Sequence, residues 1–352
     1  MNVRTQTFGI LTNSATHLAF VGLRSEAFSF ILHPSSFIGV AMSTCLITGG
    51  AGNLARGVCP LLAGRFDRLV LFDQKPIDRL SAPAEFQIGD LTDAARLEAL
   101  FAEYRPDAVV HLASLLSGSS ERDRARGWHV NATGTFLMLE TALRHGARTF
   151  LFASTVAAFG GNLPDPLTDD APQWPDGLYG VTKVACERLG VYYHHRHGVD
   201  FRCLRLPIII SPFAPPGAAS AFASQVFVEA ARHGRFTFRV RPETRLALIY
   251  YRDAVRAMAS LLLASDERLT QRVYNIHGMT ATPRELADAV VRRLPNADLQ
   301  FEPDSAVADL LASWPGAIDD SRARTDWDWE PQFDLERTSD HMLDEVRQLP
   351  SP

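Results

Sequence analysis

Cysteine, long apolar runs and blocks of like charge are all scarce in this sequence. Its four cysteines among 352 residues form no Cys-x-x-Cys pair, which excludes the usual thiolate metal site and a disulfide scaffold. No apolar run reaches the roughly 20 residues that a membrane-spanning helix needs. The 35 basic and 40 acidic residues are interspersed and leave a net charge of −5, which argues against nucleic-acid binding. We therefore expect a cytoplasmic protein with reduced thiols that binds a small molecule, with no metal, nucleic acid or membrane.

Hydrophobic residues make up 46% of the sequence and charged residues 21%, a balance typical of packed globular domains. Residues 1–41 differ from the rest. Their apolar stretch is interrupted by His33 and Pro34, and Met42 stands just before the first clear strand pattern. We interpret residues 1–41 as an N-terminal extension outside the fold, produced by an upstream extension of the reading frame. A targeting peptide is the alternative.

From residue 44 onward, short apolar runs alternate with segments of helical periodicity, the pattern of parallel strands joined by crossover helices. Strands are predicted at 44–48, 69–73, 85–88, 108–112, 149–153 and 201–206. Two helices are predicted at about 129–145 and 179–197, and they end at Gly146 and Gly198. A further helix is predicted to begin after Thr92, which serves as its N-cap. The alternation loosens after Pro207. We predict an α/β fold, a Rossmann-type doubly wound parallel sheet over residues 42–206 and a smaller mixed C-terminal lobe over 207–352.

A glycine-rich turn, Thr48-Gly49-Gly50-Ala51-Gly52-Asn53-Leu54, joins the first predicted strand to a helix. Its glycines let the backbone approach a pyrophosphate, and the free N–H groups of the helix start supply positive potential. Asp73 ends the second strand about 20 residues later, where a carboxylate accepts hydrogen bonds from adenosine ribose hydroxyls. Its charge would repel a 2′-phosphate, so the pattern predicts NAD rather than NADP.

Two further strand ends carry residues suited to the same ligand. Asp90-Leu91 follows the third predicted strand, and Leu112-Ala113-Ser114 follows the fourth. Open parallel sheets bind ligands at the carboxyl ends of their strands. We therefore expect these residues to border the cofactor.

Tyr179 and Lys183 stand four residues apart in a predicted helix and share one helix face. A phenol is a poor base at pH 7, but a neighbouring ammonium and the positive charge of an oxidised nicotinamide favour the phenolate. The pair predicts a general base for proton transfer. Thr155 follows the fifth strand, where its hydroxyl can orient a reacting alcohol, and Ser154 is a competing candidate.

In combination these motifs resemble the extended short-chain dehydrogenase/reductase (NAD-dependent epimerase/dehydratase) family over residues 44–345. The resemblance includes His111-Leu112-Ala113-Ser114 and Asn131, although Ala55 stands where the family usually has a third glycine. It implies an NAD-dependent dehydrogenase with residues 42–206 as the cofactor domain and 207–352 as mainly the substrate-binding lobe. Catalysis is assigned to Thr155, Tyr179 and Lys183. The implied cofactor contacts are Gly49, Gly52, Asn53, Leu54, Asp73, Asp90, Leu91, Leu112, Ala113, Ser114, Asn131, Tyr179, Lys183 and Pro207.

Within that family the sequence is most similar to the short-chain-type L-threonine 3-dehydrogenases. The similarity rests on Leu115-Leu116-Ser117, Ile249-Tyr250-Tyr251-Arg252-Asp253 and Ser313-Trp314-Pro315-Gly316. It implies transfer of hydride from C3 of L-threonine to NAD while Tyr179 takes the hydroxyl proton, giving 2-amino-3-ketobutyrate. The implied substrate contacts are Ser117, Thr155, Tyr179, Ser220 and Trp314.

Residues 215–224 depart from that branch, because Pro-Pro-Gly-Ala-Ala-Ser-Ala-Phe-Ala-Ser stands where a Gly-rich loop with a Thr-Thr pair is usual. This segment resembles sugar-acid dehydrogenases, so an NAD-dependent sugar-acid dehydrogenase stays an alternative. A nucleotide-sugar 4-epimerase is another, and an NAD(H)-sensing regulatory protein is the non-enzymatic one. Family members often dimerise through two long helices, here 129–145 and 179–197, so a homodimer is expected by analogy.

Overall fold

The computed structural model describes residues 42–77, 79–214 and 219–349. The predicted extension, residues 1–41, lies outside these ranges. Within them, no helix combines the length and apolarity that crossing a membrane requires.

The strands are β1 Met42–Thr48, β2 Phe66–Asp73, β3 Glu85–Ile88, β4 Ala108–His111, β5 Thr149–Thr155, β6 Asp200–Leu206, β7 Ile208–Ile210, β8 Arg235–Phe238, β9 Leu246–Tyr250, β10 Val273–Asn275, β11 Met279–Ala281 and β12 Asp298–Phe301. The α-helices are α1 Asn53–Leu62, α2 Ala94–Tyr104, α3 Ser117–Arg122, α4 Arg124–Trp128, α5 Gly134–Arg144, α6 Leu178–His197, α7 Phe222–His233, α8 Tyr251–Leu263, α9 Pro283–Arg293, α10 Ser305–Ala312, α11 Ser321–Trp327 and α12 Leu335–Gln348.

The main sheet of the described chain has seven parallel strands in the order β10-β6-β5-β4-β1-β2-β3. The chain builds outward in one direction through β2 and β3 and then in the other through β4, β5 and β6. This is the doubly wound Rossmann arrangement, whose ligands bind beyond the carboxyl ends of the strands. The predicted fold class is confirmed.

Helices cover both faces of this sheet because its strands are apolar on both sides. In β1, Cys45 and Ile47 pack into a core with α1 and α8, whereas Leu46 between them packs with α2, α5 and α6. Successive strand residues point to opposite faces. A continuous apolar run is therefore what a strand buried between two helical layers requires.

Two elements from beyond residue 206 take part in the main sheet and in one of the helical layers that cover it. Strand β10 pairs with β6 at the edge of the sheet, and α8 packs beside α1. The guanidinium of Arg202 in β6 donates to the carbonyl oxygens of Leu261, Leu262 and Ala264 at the end of α8, at 2.6, 3.1 and 2.7 Å. A cation at the C-terminus of a helix satisfies its last carbonyls and complements its dipole. The division at residue 206 stays a prediction, and the sheet takes one strand from the later part of the chain.

A smaller lobe contains the remaining strands. Strand β9 pairs with β7 in parallel and with β11 in antiparallel, and β8 and β12 form a parallel pair. Helices α7, α9 and α12 share one apolar core with these strands. The predicted smaller mixed lobe is thus present.

Several strand ends shift by one to three residues from the sequence prediction; β2, for example, begins at Phe66 and not at Leu69. Three local differences concern β5, α2 and the helix predicted at 129–145. Strand β5 continues to Thr155 because its pairing with β6 extends to Leu206. The N-cap of α2 is Asp93, whose carboxylate accepts from Arg96 N–H, and not Thr92, whose N–H and hydroxyl both bond to Asp90. The predicted helix 129–145 is part of a longer helical run in which a π-helical segment, His129–Thr133, joins α4 to α5. Such π segments are rare and frequently lie at functional sites.

Candidate active site

A cavity of about 490 Å³ lies at the carboxyl ends of β1, β4, β5 and β6. The smaller lobe contributes to its wall through residues after β7 and through Trp314. The sequence-predicted residues that line this cavity are Gly49, Gly52, Asn53, Leu54, Leu112, Ser114, Ser117, Thr155, Tyr179, Lys183, Pro207, Ser220 and Trp314. The fold therefore brings the predicted catalytic and substrate residues and most of the predicted cofactor residues to one place.

The glycine-rich turn has the shape of an anion-binding site. Gly49 has a φ of +67°, and a Cβ there would lie 2.8 Å from the backbone nitrogen of Ala113. Gly52 is the N-cap of α1, and no side chain caps that helix. The first N–H groups of a helix have no intrahelical partners. Residues 52–55 at this helix start line the cavity, and the positive end of a helix suits a pyrophosphate.

Asp73 fixes this turn from the end of β2. Its Oδ2 accepts a hydrogen bond from the N–H of Ala51 at 3.1 Å, and its Oδ1 accepts from the N–H of Lys75 at 2.9 Å. A carboxylate oxygen can accept more than one hydrogen bond. The carboxylate therefore retains acceptor capacity for ribose hydroxyls at the position that the sequence predicts.

A buried chain of hydrogen bonds runs from the glycine turn to Asn131. Thr48 Oγ1 lies 2.7 Å from His111 Nδ1, and His111 Nε2 lies 3.0 Å from Thr135 Oγ1. Thr135 donates to the carbonyl oxygen of Asn131 at 2.5 Å. Its oxygen must then accept from His111 Nε2–H. Thr48 Oγ1 already accepts the N–H groups of Leu112 and Ala113, so its proton points to Nδ1, and His111 is neutral. Burial lowers the pKa of His111 to about 3, which agrees with this assignment.

Asn131 ties two site segments together. Its side chain accepts from the N–H of Leu115 at 2.8 Å and donates to the carbonyl of Leu115 at 3.0 Å. It also donates to Thr182 Oγ1 on α6 at 3.3 Å. Asn131 thus fixes the segment that carries Ser114 and shares a contact with α6, although it does not line the cavity.

Close backbone packing brings Tyr179 and Thr155 to the same wall. Gly180 follows Tyr179 in α6, and a Cβ at Gly180 would lie only 2.0 Å from the carbonyl oxygen of Ala157. Thr155 caps the short 3₁₀ turn that contains Ala157 and accepts its N–H at 3.2 Å. The Thr155 hydroxyl proton remains available to a ligand in the cavity.

Lys183 lies beneath the phenol of Tyr179. Its Nζ donates to the carbonyl of Ala153 at 2.8 Å and is 5.5 Å from the centre of the Tyr179 ring. Burial raises the pKa of Tyr179 to about 12, and burial lowers the pKa of Lys183 to about 8. Desolvation therefore acts opposite to the sequence expectation of a lowered phenol pKa, because it favours the uncharged form of both groups.

Ser154, the competing candidate to Thr155, uses its hydroxyl elsewhere. It borders the cavity but donates to the buried carboxylate of Glu187. That carboxylate pairs with Arg205 at 2.9 Å, and both side chains are almost fully buried. The geometry therefore favours Thr155 as the hydroxyl presented to a ligand.

The remaining predicted cofactor residues lie outside the cavity lining, and they are Asp73, Asp90, Leu91, Ala113 and Asn131. Asp90 is exposed, and its carboxylate accepts from the N–H and hydroxyl of Thr92. Leu91 is buried against Gly134. Ala113 donates its N–H to Thr48 Oγ1 at 3.2 Å, so it supports the turn from behind.

Sequence reasoning missed a polar link between the two lobes. Ser211, directly after β7, donates to Asn53 Oδ1 at the start of α1 at 3.1 Å. The Ser211 N–H donates to Ser224 of α7 at 3.0 Å. The only signal in the sequence is a serine after an isoleucine run. The other lining residues that were not predicted are Ala55, Leu116, Ala153, Val156, Ala157, Leu206, Ile208, Ile209, Phe213, Ala214, Ala221 and Ser224.

The part of the cavity lined by the predicted substrate residues is mainly apolar and almost uncharged. Ser117 and Ser220 contribute hydroxyls, and Trp314 contributes an aromatic wall. Among the lining residues that the structure describes, only Lys183 carries a charge. A ligand there is therefore bound by hydroxyl and backbone groups more than by ion pairs.

Comparisons with known proteins agree with this geometry. A family model described as NAD dependent epimerase/dehydratase family matches residues 45–276. The mitochondrial L-threonine 3-dehydrogenase of Bos taurus is 38% identical over 316 residues, covering 88% of this chain and 84% of that protein. The solved L-threonine dehydrogenase of Clostridium difficile superposes with a TM-score of 0.83 at 29% identity, covering 88% and 99% of the two chains. A monomeric L-threonine 3-dehydrogenase from a metagenome superposes with a TM-score of 0.81 at 28% identity, covering 86% and 99%.

Proposed function

The chain belongs to the NAD dependent epimerase/dehydratase family, and we propose that within it the protein oxidises L-threonine to 2-amino-3-ketobutyrate. It is an NAD-dependent dehydrogenase of the extended short-chain type. The observation that carries the substrate proposal is the 38% identity with the bovine L-threonine 3-dehydrogenase over 88% of the chain. The structural support is a cavity in which Thr155 and Tyr179 meet the glycine turn.

The residues present fit NAD. The uncapped start of α1 and the space at Gly49 would accept the pyrophosphate, and the Asp73 carboxylate would accept the adenosine ribose hydroxyls. The Asp73 charge disfavours a 2′-phosphate at the same place. When bound, NAD supplies the hydride acceptor.

The protein's own part of the reaction is to orient the alcohol and take its proton. The Thr155 hydroxyl, whose oxygen already accepts the N–H of Ala157, donates to the substrate oxygen. Tyr179, as the phenolate, takes the proton of the substrate hydroxyl, while hydride leaves the carbon that bears this hydroxyl. Lys183 lies beneath the phenol, where its positive charge favours the phenolate. These roles of Thr155, Tyr179 and Lys183 are the ones that the sequence predicts.

The charge of the cavity supports a small substrate. A nucleotide sugar brings a second diphosphate besides that of NAD, and this one needs partners of its own because the start of α1 would already hold the cofactor. The described lining offers only Lys183, and its Nζ already donates to Ala153. Hydroxyls from Ser117 and Ser220 suit the carboxylate of an amino acid or a sugar acid. This argues against the 4-epimerase alternative.

The test is release of NADH, followed at 340 nm, with L-threonine, four-carbon sugar acids and nucleotide sugars. We expect turnover with L-threonine, loss of turnover in Tyr179→Phe, and unchanged NAD binding in that variant. The matched control is Tyr192→Phe, which removes a half-exposed hydroxyl from the same helix. If only a sugar acid were oxidised, the sugar acid would replace L-threonine as the proposed substrate. NAD binding without any turnover would support the sensor alternative instead.

We further propose a homodimer formed through α5 and α6. Both elements, with α4, expose large apolar side chains: Trp128 46%, Phe136 44%, Val181 39% and Tyr192 50%. Val181 and Tyr192 are about three turns apart on one face of α6. Contiguous exposed apolar surface often marks an interface. One related structure is described as monomeric. The test is therefore sedimentation analysis of the wild type and of Phe136→Glu. A monomeric wild type refutes the dimer.

A cytoplasmic location is the last part of the proposal. The four cysteines are free and buried, which suits a reducing compartment. The bovine relative's name places that protein in mitochondria. Fractionation of cells that express the full chain distinguishes the two compartments.

A further inference from the structure

A second cavity, of about 670 Å³, lies at the edge of the main sheet. Its lining includes Val273 of the edge strand β10, one side of α6 and the start of α11. Among the described residues, this cavity and the active-site cavity have no lining residue in common. Small-molecule sites typically have volumes of about 300–1,000 Å³. The second cavity is therefore large enough to be a separate binding site.

Two arginines in the lining carry charges that no acidic side chain balances through a salt bridge. Arg188 shares one face of α6 with Val191 and His195, which are three and seven residues further on. Its guanidinium donates to the amide oxygen of Gln173 at 2.7 Å, a neutral partner. Arg322 of α11 is exposed and makes no salt bridge within the part of the chain that the structure describes. Both guanidinium groups are therefore available to a carboxylate.

Carboxylates line the same cavity. Asp170 is exposed, and Asp319 stands shortly before α11. Asp319 Oδ1 accepts the N–H of Ser321 at 3.0 Å. An ionised carboxylate can accept about four hydrogen bonds. Both aspartates therefore keep acceptor capacity for an ammonium group.

The other two arginines of the lining are already neutralised. Arg205 pairs with Glu187 at 2.9 Å, and Arg272 pairs with Asp200 and Asp266 at 3.0 and 2.5 Å. The charges left for a ligand are thus of both signs. A simple anion would find guanidinium partners but would also face unpaired carboxylates, and a simple cation would meet the reverse. Since a charge taken out of water needs a partner, only a ligand that carries both charges is matched completely.

We propose that this cavity is a second ligand site, which binds a zwitterionic α-amino acid with an apolar side chain. The guanidinium groups of Arg188 and Arg322 bind its carboxylate, and the aspartate carboxylates bind its ammonium group. Val191, Leu269 and Val273, which also line the cavity, contact its side chain. The site goes beyond the proposed function, which concerns the other cavity, and does not depend on it.

The first test compares L-leucine with two analogues by isothermal titration calorimetry on the full chain saturated with NAD. 4-Methylpentanoate lacks only the ammonium group of L-leucine, and 3-methylbutylamine lacks only its carboxylate. We expect L-leucine to bind with a Kd of about 1 mM or lower and each analogue to bind at least about tenfold more weakly. Absence of L-leucine binding overturns the proposal, as does an analogue that binds as tightly as L-leucine. This comparison uses the wild type, so it does not depend on the folding of a variant.

The second test locates the bound amino acid. Arg322→Gln and Asp170→Asn each remove one exposed charge from the lining, and each should weaken L-leucine binding at least about tenfold. The matched control is Arg196→Gln, an exposed arginine of α6 outside the lining, which should bind L-leucine as the wild type does. NADH release with L-threonine should stay at the wild-type rate in all three variants. Undiminished L-leucine binding in Arg322→Gln, together with competition between L-leucine and L-threonine, would place the amino acid in the active-site cavity and overturn the proposal.

Discussion

Replacing Gly180 by alanine separates the packing of α6 from its chemistry. The new Cβ would lie 2.0 Å from the carbonyl oxygen of Ala157 and 2.6 Å from Cβ of Pro175. The nearest atom is backbone and cannot rotate away. To reach the 3.0 Å that real Cβ atoms respect, α6 has to retreat by about 1 Å, and Tyr179 moves with it.

Two opposing effects set the size of the change. Alanine in a helix is favoured over glycine by about 1 kcal/mol. Overpacking costs about 1–3 kcal/mol, and the upper end applies because a backbone carbonyl blocks the space. We expect a net destabilisation of about 1–2 kcal/mol by these values. A displacement of about 1 Å at reacting groups costs about 100-fold in rate, so kcat should fall far more than stability.

The assay combines steady-state NADH release with thermal unfolding and NAD binding. Gly161→Ala is the matched control, because a Cβ at Gly161 meets nothing within 4 Å. We expect Gly180→Ala to lose about 100-fold in kcat with nearly unchanged NAD affinity, and Gly161→Ala to match the wild type. A Gly180→Ala enzyme with kcat within about twofold of wild type and an undiminished melting temperature would refute the packing argument.

Three further predictions concern single polar groups. Thr155→Ala should lower kcat about 100-fold. Ser154→Ala should keep kcat within a few-fold of the wild-type value but lose about 1.5–3 kcal/mol of stability, because it removes the hydrogen bond to Glu187. Both variants are measured in purified form by kinetics and by urea unfolding. Thr135→Val should cost about 1–3 kcal/mol in urea unfolding because it leaves buried partners unpaired, and Thr135→Ser should restore most of it. Asp73→Asn should reduce the NAD-over-NADP ratio of kcat/KM about fivefold, the effect of removing roughly 1 kcal/mol of like-charge repulsion near water.

The fold could be read from the sequence because its signals are local. Apolar runs of strand length, separated by segments with helical periodicity, define a parallel sheet without knowledge of any long-range contact. Gly146 and Gly198 both adopt positive φ, +72° in each case, where the predicted helices end. The π-helical segment around Asn131 was not predictable in this way, and the side-chain hydrogen bonds beside it join residues far apart in sequence, such as His111 with Thr135 and with Thr48.

The choice between Ser154 and Thr155 shows where sequence reasoning about the site stops. Neighbouring residues of a strand point to opposite faces, so the two hydroxyls cannot both face the ligand in the same way. Which one does is decided by the register of β5 on β6, and by the Glu187–Arg205 pair that takes the Ser154 hydroxyl. Neither the register nor the pair is visible in the local pattern.

The pKa of Tyr179 depends on a competition that spacing alone does not reveal. Helical spacing places Lys183 one turn away, and an ammonium favours the phenolate. The same enclosure that excludes water from both groups raises the Tyr179 pKa to about 12 and lowers the Lys183 pKa to about 8. At pH 7 the lysine is still charged and the phenol is neutral, so the ammonium by itself does not make a base. The remaining stabilisation of the phenolate must come from groups in contact with its oxygen and from positive charge at the cofactor.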